Sequence, residues 1–194
     1  MLFEQAFAAQ GGAALAALHT IHSTGVAETH LEKDPESGVP FAVDEYLLLG
    51  NTRRAAREVH GIARIERAPV SLFSDSAAWA WDANTILYLA AQPSATLRGY
   101  APTVIDGQKY DTLDVITDRA HYRVLLDPAT HLVARLLQTG AREQMVITPS
   151  EWRREGGVQL AHRMDGWTSA TGNYSVHFDH VELDGKLPHE LFTR

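Results

Sequence analysis

Between Tyr110 and Phe192 apolar and polar residues alternate in short runs with almost no helical interruption. The strand-like pieces read TLDVIT, HYRVLL, HLVARLLQ, EQMVIT, VQLAHRM and YSVHFDHVEL. Turn formers stand between them at Asp127-Pro128, Thr139-Gly140, Pro149-Ser150, Gly156-Gly157 and Thr171-Gly172. A period of two sends successive side chains to opposite faces, so each run has one buried and one wet side. The pattern predicts an antiparallel sheet, and a curved one can wrap a helix or hold an apolar guest.

Upstream, Phe3 to Leu18 is the most helical stretch, with Phe7, Leu15 and Leu18 among alanines. Gly11-Gly12 weakens its middle, so one helix, or two broken there, fits equally. His19 to Lys33 and Phe41 to Leu49 alternate as strands. Thr52 to Arg67 fits a helical face or a strand pair turning near His60-Gly61, and the sheet-rich surroundings favour strands. Val70 to Asp75 and Ala77 to Asp82 read as a hairpin with Trp79 and Trp81 on one face. Thr85 to Ala91 is an apolar run that suits strand or helix, and Pro93 to Pro102 a loop or loose helical insert. Asp106-Gly107 marks a hairpin turn. Without a repeat or linker, residues 1–194 read as one domain.

The formal charge of -7 argues against non-specific nucleic-acid binding, which needs a positive footprint, and mildly against docking on an anionic membrane face. No cysteine is present, which removes disulfides, thiolate chemistry and cysteine-based zinc sites. No apolar run is long enough for an integral membrane segment, and MLFEQAFAAQGG lacks the basic start and apolar stretch of a signal peptide.

Ten histidines invite a metal or general-base reading. His19/His22 and His177/His180 are spaced i,i+3, which on a strand puts the two rings on opposite faces. His189-Glu190 begins a zinc-protease motif, but Arg194 stands where its second His belongs. His30-x-Glu32 lacks the cysteines of a zinc deaminase. No nucleophile elbow, phosphate loop or dinucleotide fingerprint occurs. The sequence therefore offers no catalytic residue, no metal ligand set and no cofactor. An enzyme built from pocket groups such as His162 and Asp165 stays open, as does an interaction module that pairs through a sheet edge. Asn173-Tyr174-Ser175 matches a glycosylation sequon and reads as a surface turn.

Arg53, Arg54, Arg57, Arg64 and Arg67 form a basic cluster, either a head-group contact at a cavity mouth or a solvated face balanced by Glu58 and Glu66. Aromatic residues are spread along candidate strands. On a concave face they line an apolar pocket; under a helix they are core.

The order of elements resembles the outer-membrane lipoprotein-sorting family, the LolA/LolB-like fold. ALAALHTIHSTGVAE is similar to its opening helix and strand about a glycine, and FSDSAAWAWD to its central turn and tryptophan. VIDGQKYDTLDVITDRAHYRVLLDPATHLVARL resembles its strand pair around a turn, here Leu126-Asp127, Thr130, Leu132 and Arg135. SEWRREGGVQLAHRM and VELDGKLPHELF resemble its late strand entry and its closing segment, with Ala161-His162 where the family often has proline. The resemblance implies an unclosed antiparallel barrel draped over helices, whose concavity receives lipid or lipoprotein acyl chains, and a periplasmic or cell-envelope location.

The expected fold is α+β: a curved antiparallel sheet of roughly ten strands forming an unclosed β-barrel, packed on an N-terminal helix and a mid-chain helical insert. The expected function is non-enzymatic binding of a lipid or acylated protein, driven by apolar burial. Candidate lining residues are Tyr46, Leu48, Trp79, Trp81, Leu87, Leu125, Met164 and Phe178, with Arg53 at the mouth.

Overall fold

Among the described residues all strands pair antiparallel in one sheet: β1 (Thr20–His30), β2 (Phe41–Leu48), β3 (Arg53–Val59), β4 (Ala63–Pro69), β5 (Thr96–Ile105), β6 (Gln108–Ile116), β7 (His121–Leu126), β8 (Val133–Thr139), β9 (Met145–Glu155), β10 (Val158–Thr168) and β11 (Gly172–Leu183). The computed structural model describes residues 1–30, 38, 40–49, 53–59, 63–69, 82–117, 121–139, 144–169 and 172–186. The strand order is β4-β3-β2-β1-β11-β10-β9-β8-β7-β6-β5, so β4 and β5 are the edges and the sheet stays unclosed. Among the described residues only the β1–β11 pairing joins strands distant in sequence, and it sets the first and last strands side by side inside the sheet.

Among the described residues three helices accompany the sheet: α1 (Leu2–Gln10), α2 (Ala13–Ala16) and α3 (Asp82–Ala90). Gly11, at φ 143°, separates the first two; a Cβ there would lie 3.0 Å from the Gly157 carbonyl oxygen. Only a glycine lets the end of α1 press on the β9–β10 turn. α1 and α3 lie against each other and against β6 and β10, and α3 also meets β8 and β9. Their contacts close a core around Leu15, Ile86, Leu87, Leu160, Met164 and Phe178, all essentially inaccessible.

The ambiguous Thr52 to Arg67 stretch contains two strands, β3 and β4, with residues 60–62 outside the described set. Thr85 to Ala91 is mostly helix, because α3 is apolar nearly all round: Ala83, Ile86, Leu87, Tyr88 and Ala90 are all buried, as befits a helix enclosed by a sheet. The Pro93 to Pro102 expectation is overturned, since β5 begins at Thr96. This edge strand is exposed on both faces for most of its length, so no alternation marks it. Pro102 falls where the β5–β6 register shifts, between Tyr100 and Thr103, and the irregularity accommodates its missing N–H.

Pro149-Ser150 is not a turn: β9 runs straight through it. The β8–β9 ladder ends at Leu136 and Ile147, so Pro149 interrupts no pairing on that side. Asn173 to Ser175 likewise lies in β11. Asp106 and Gly107 have φ 54° and 79°, the left-handed pair of a tight hairpin between β5 and β6. The Asp127 turn forms as read. Asp127 Oδ1 accepts from the N–H groups of Ala129 (3.0 Å) and Thr130 (2.7 Å) and from the Thr130 hydroxyl (3.0 Å). These donors, the Thr130 N–H foremost, hold the Asp127 carboxyl below its ordinary range despite opposing burial. Residues 70–81 of the expected hairpin, with Trp79 and Trp81, and the closing Phe192 lie outside the described residues, and Asp82, expected to end that hairpin, begins α3 instead.

Candidate functional site

Register sorts β1, β2 and β5 to β11 into an inner face toward the helices and an outer face. On β1 and β2 the inner pairs are Ile21/Leu47, Ser23/Glu45, Gly25/Val43 and Ala27/Phe41. Across the centre, β11 continues them with Val181, Phe178 and Val176. On β6 to β9 the inner row holds Leu113, Val124, Leu136 and Ile147.

The sequence-derived lining residues divide between these faces. Leu87, Met164 and Phe178 converge in the interior, each with no exposed surface. Tyr46 and Leu48 do not join them. They alternate with the inward Glu45 and Leu47, and Tyr46 stacks on outer-face His22 with ring centroids 4.3 Å apart. Leu125 also points outward, because its register partners are Thr112 and Arg135 while Val124 and Leu126 enter the core. Those three assignments are corrected by strand parity. The run FAVDEYLLL has apolar residues in both phases, which is why alternation misplaced Tyr46 and Leu48. Arg53 is the register partner of Leu48 on β3, with its side chain outside the described set, as are Trp79 and Trp81.

Polar groups that the sequence did not single out organise the interior. Ser23 and Glu45 face each other on the inner wall, 0% and 2% exposed, between aliphatic pairs. Ser23 Oγ has no hydrogen-bond partner among the described residues. Deeper in, Gln10 Nε2 of α1 donates to the Asn84 carbonyl at 2.7 Å, and the Asn84 side chain bonds the Ala161 backbone. These bonds occur where the β10–β11 ladder stops at Arg163/His177. His162 Nδ1 lies 2.9 Å from the Phe178 carbonyl oxygen at the same fork. Side chains thus replace the strand pairing that is lost there.

The envisaged His162–Asp165 pair is not assembled: Arg163 holds Asp165 through both guanidinium contacts (2.9 and 3.0 Å), while His162 Nε2 faces Glu155 at 3.4 Å. The Asp165 carboxylate keeps the Arg163 guanidinium charged beyond its usual range. His22 sits 2.8 Å from Asp44 and 3.8 Å from Glu182 on the outer face. His177 and His180 both belong to β11. Among the described residues no three His, Asp or Glu side chains gather as a metal centre needs, and no helix is long and apolar enough to cross a membrane.

The inner face of the sheet is therefore apolar, with Ser23 and Glu45 as a polar pair on its β1–β2 part. α1 and α3 lie against its β6–β10 half, and β1 and β2 carry its apolar wall onward.

Solved structures share this architecture over nearly the whole chain. A LolA superfamily protein from Nitrosomonas europaea superposes with a TM-score of 0.62 at 10% identity, covering 100% of this chain and 96% of that one. A DUF1329 family protein from Desulfovibrio piger gives 0.61 at 10% identity, covering 99% and 95%. A candidate outer membrane lipoprotein-sorting protein domain from Vibrio parahaemolyticus gives 0.58 at 10% identity, covering 97% and 93%. No family model matches the sequence, and no curated relative does. The chain shares the fold of these solved structures, that of the LolA superfamily, as the resemblance of its motifs implied.

Proposed function

We propose that this protein binds an apolar ligand, a lipid or the acyl chain of an acylated protein, in the concavity of its open sheet, and performs no chemistry on it. The observation that carries this reading is the continuous apolar inner face of an unclosed sheet. α1 and α3 lie against β6 and β8 to β10, while Phe41, Val43 and Leu47, buried in the same core, continue that apolar surface across β2. Apolar burial at roughly 25 cal/mol per Å² makes a few methylenes sufficient for micromolar affinity. The lining we assign is Val43, Leu47 and Phe178, with Trp79 and Trp81 from the segment before α3 and Arg53 at the β2–β3 hairpin. Ser23 and Glu45 would be the polar pair a ligand meets inside. The fold likeness to lipoprotein-sorting domains supports an acylated partner and a cell-envelope setting.

Native mass spectrometry of the protein purified from cells tests the class. A co-purifying lipid mass, displaced by excess fluorescent fatty acid, supports it. A protein that carries nothing and takes up no fatty acid or acylated peptide would overturn it.

A further inference from the structure

A single row of side chains crosses the outer face. By register it runs Arg98, Asp114, Arg123, Leu137, Val146 and Trp167, from the β5 edge to β10. Asp114 is fully enclosed at its cationic end. Arg123 donates from Nε and Nη2 to its two oxygens at 2.9 and 3.2 Å, and His121 Nε2 lies 2.7 Å from Oδ2. The Arg123 guanidinium is also held 5.1 Å over the ring of Tyr100.

These bonds use one edge of the guanidinium, which Tyr100 engages as well. Arg98, across from Asp114, is exposed and makes no ion pair among the described residues. Two arginines against one aspartate leave a positive spot in a chain of net charge -7. The other end of the row is apolar. Trp167 is 40% exposed beside the half-buried Val146 and Leu137.

We propose that this row docks the protein on the headgroup surface of a bilayer containing anionic phospholipid. The row spans five strand spacings, roughly 24 Å, which is a broad contact and not a pocket for a small anion. Planar guanidinium groups match phosphate, and a tryptophan with an apolar body and a polar tip suits the headgroup level. The net charge does not prevent this, because charges farther than about 8 Å from the contact are screened at physiological salt. It orients the molecule instead. The far side of the outer face carries Asp44, Glu182, Asp179 and Glu28, which an anionic surface repels. The docking surface is independent of the concavity, and rests on the carrier reading only for its purpose.

The test uses the full chain with unilamellar vesicles of phosphatidylcholine, with and without phosphatidylglycerol. Wild type should co-sediment with the phosphatidylglycerol vesicles and detach as salt is raised. Arg98→Ala should weaken partitioning about fivefold, since each basic residue near an anionic surface adds about that factor. Trp167→Ser should weaken it comparably, and both variants should keep the wild-type thermal melt and take up monomeric fluorescent fatty acid normally. Equal partitioning of wild type and both variants would overturn the proposal, as would equal binding to neutral vesicles or complete displacement by inorganic phosphate. Vesicle binding without fatty-acid uptake would sink the carrier reading alone; uptake without vesicle binding would sink the docking surface alone.

Discussion

Asn84 holds Ala161 by both ends of its side-chain amide. Its Nδ2 donates to the Ala161 carbonyl at 3.0 Å, and its Oδ1 accepts from the Ala161 N–H at 2.8 Å. A helical side chain thereby stands in for a missing β-strand at the β10–β11 fork, and it ties α3 to the concave wall. Both groups are buried, so neither can turn to water when the amide is removed. Asn84→Ala should therefore cost about 2 to 4 kcal/mol, more than a surface truncation, because two backbone groups lose their partners. Urea unfolding followed by far-ultraviolet dichroism measures this. A loss below about 0.5 kcal/mol, the range of neutral surface changes, would mean that the clamp contributes nothing.

Gly25 marks the closest approach of β1 to β11. The register shifts between Thr24 and Gly25, and a Cβ built there would lie 2.0 Å from the His177 carbonyl oxygen. That neighbour is backbone, so relief requires the strands to part. Gly25→Ala should destabilise by about 1 to 3 kcal/mol, the usual cost of overpacking, even though it raises strand propensity. A variant as stable as wild type would show that β1 and β11 have slack at this bulge.

Much of the sheet was legible because its strands have one dry side. The ladder from Gln108 to Leu183 shows a clear period of two, and turns such as Asp127-Pro128 sit where expected. Strands that lack that contrast were not legible. β5 is an edge strand wet on most of both faces, and Pro102 within it reads as a breaker. α3 is buried nearly all round, so its short apolar run carries no period that separates helix from strand. Glu45 could not be placed inward because its neighbours are apolar in both phases, and Asn84 gives no local signal since its partner lies 77 residues away. A site built on register and a long-range amide is invisible to pattern reading.

Parity along β2 gives a direct test of the proposed lining. Leu47 faces the concavity and is buried, whereas Tyr46 lies on the outer face against His22. Leu47→Val should reduce fluorescent fatty-acid affinity by a few fold, since one methylene is worth about 0.8 kcal/mol. Tyr46→Phe, which changes only the hydroxyl bonded to Asp44 at 3.3 Å, should leave affinity unchanged. The opposite ranking would place the ligand on the convex face.

Asp114 gives a prediction in pH. Burial alone pushes its carboxyl up, but hydrogen bonds from Arg123 and His121, with their charge, outweigh burial and set it below the ordinary carboxylate range. The same carboxylate keeps the Arg123 guanidinium charged beyond its usual range. A group whose folded pKa is depressed stabilises the fold fully above its unfolded value and loses that contribution as pH falls through the folded one. Asp114→Asn should accordingly cost about 2 kcal/mol at pH 7, the scale of a charge-assisted hydrogen bond. The gap between wild type and variant should hold down to about pH 5 and close below about pH 4, where the unfolded carboxyl protonates. Asp127 has a depressed carboxyl too, but it is present in both proteins and cancels in the difference. Urea midpoints across pH 3 to 8 supply the curve. A gap that stays constant into acid would show that the carboxylate at position 114 acts by shape alone, and that Arg123 is held by the sheet and not by its charge.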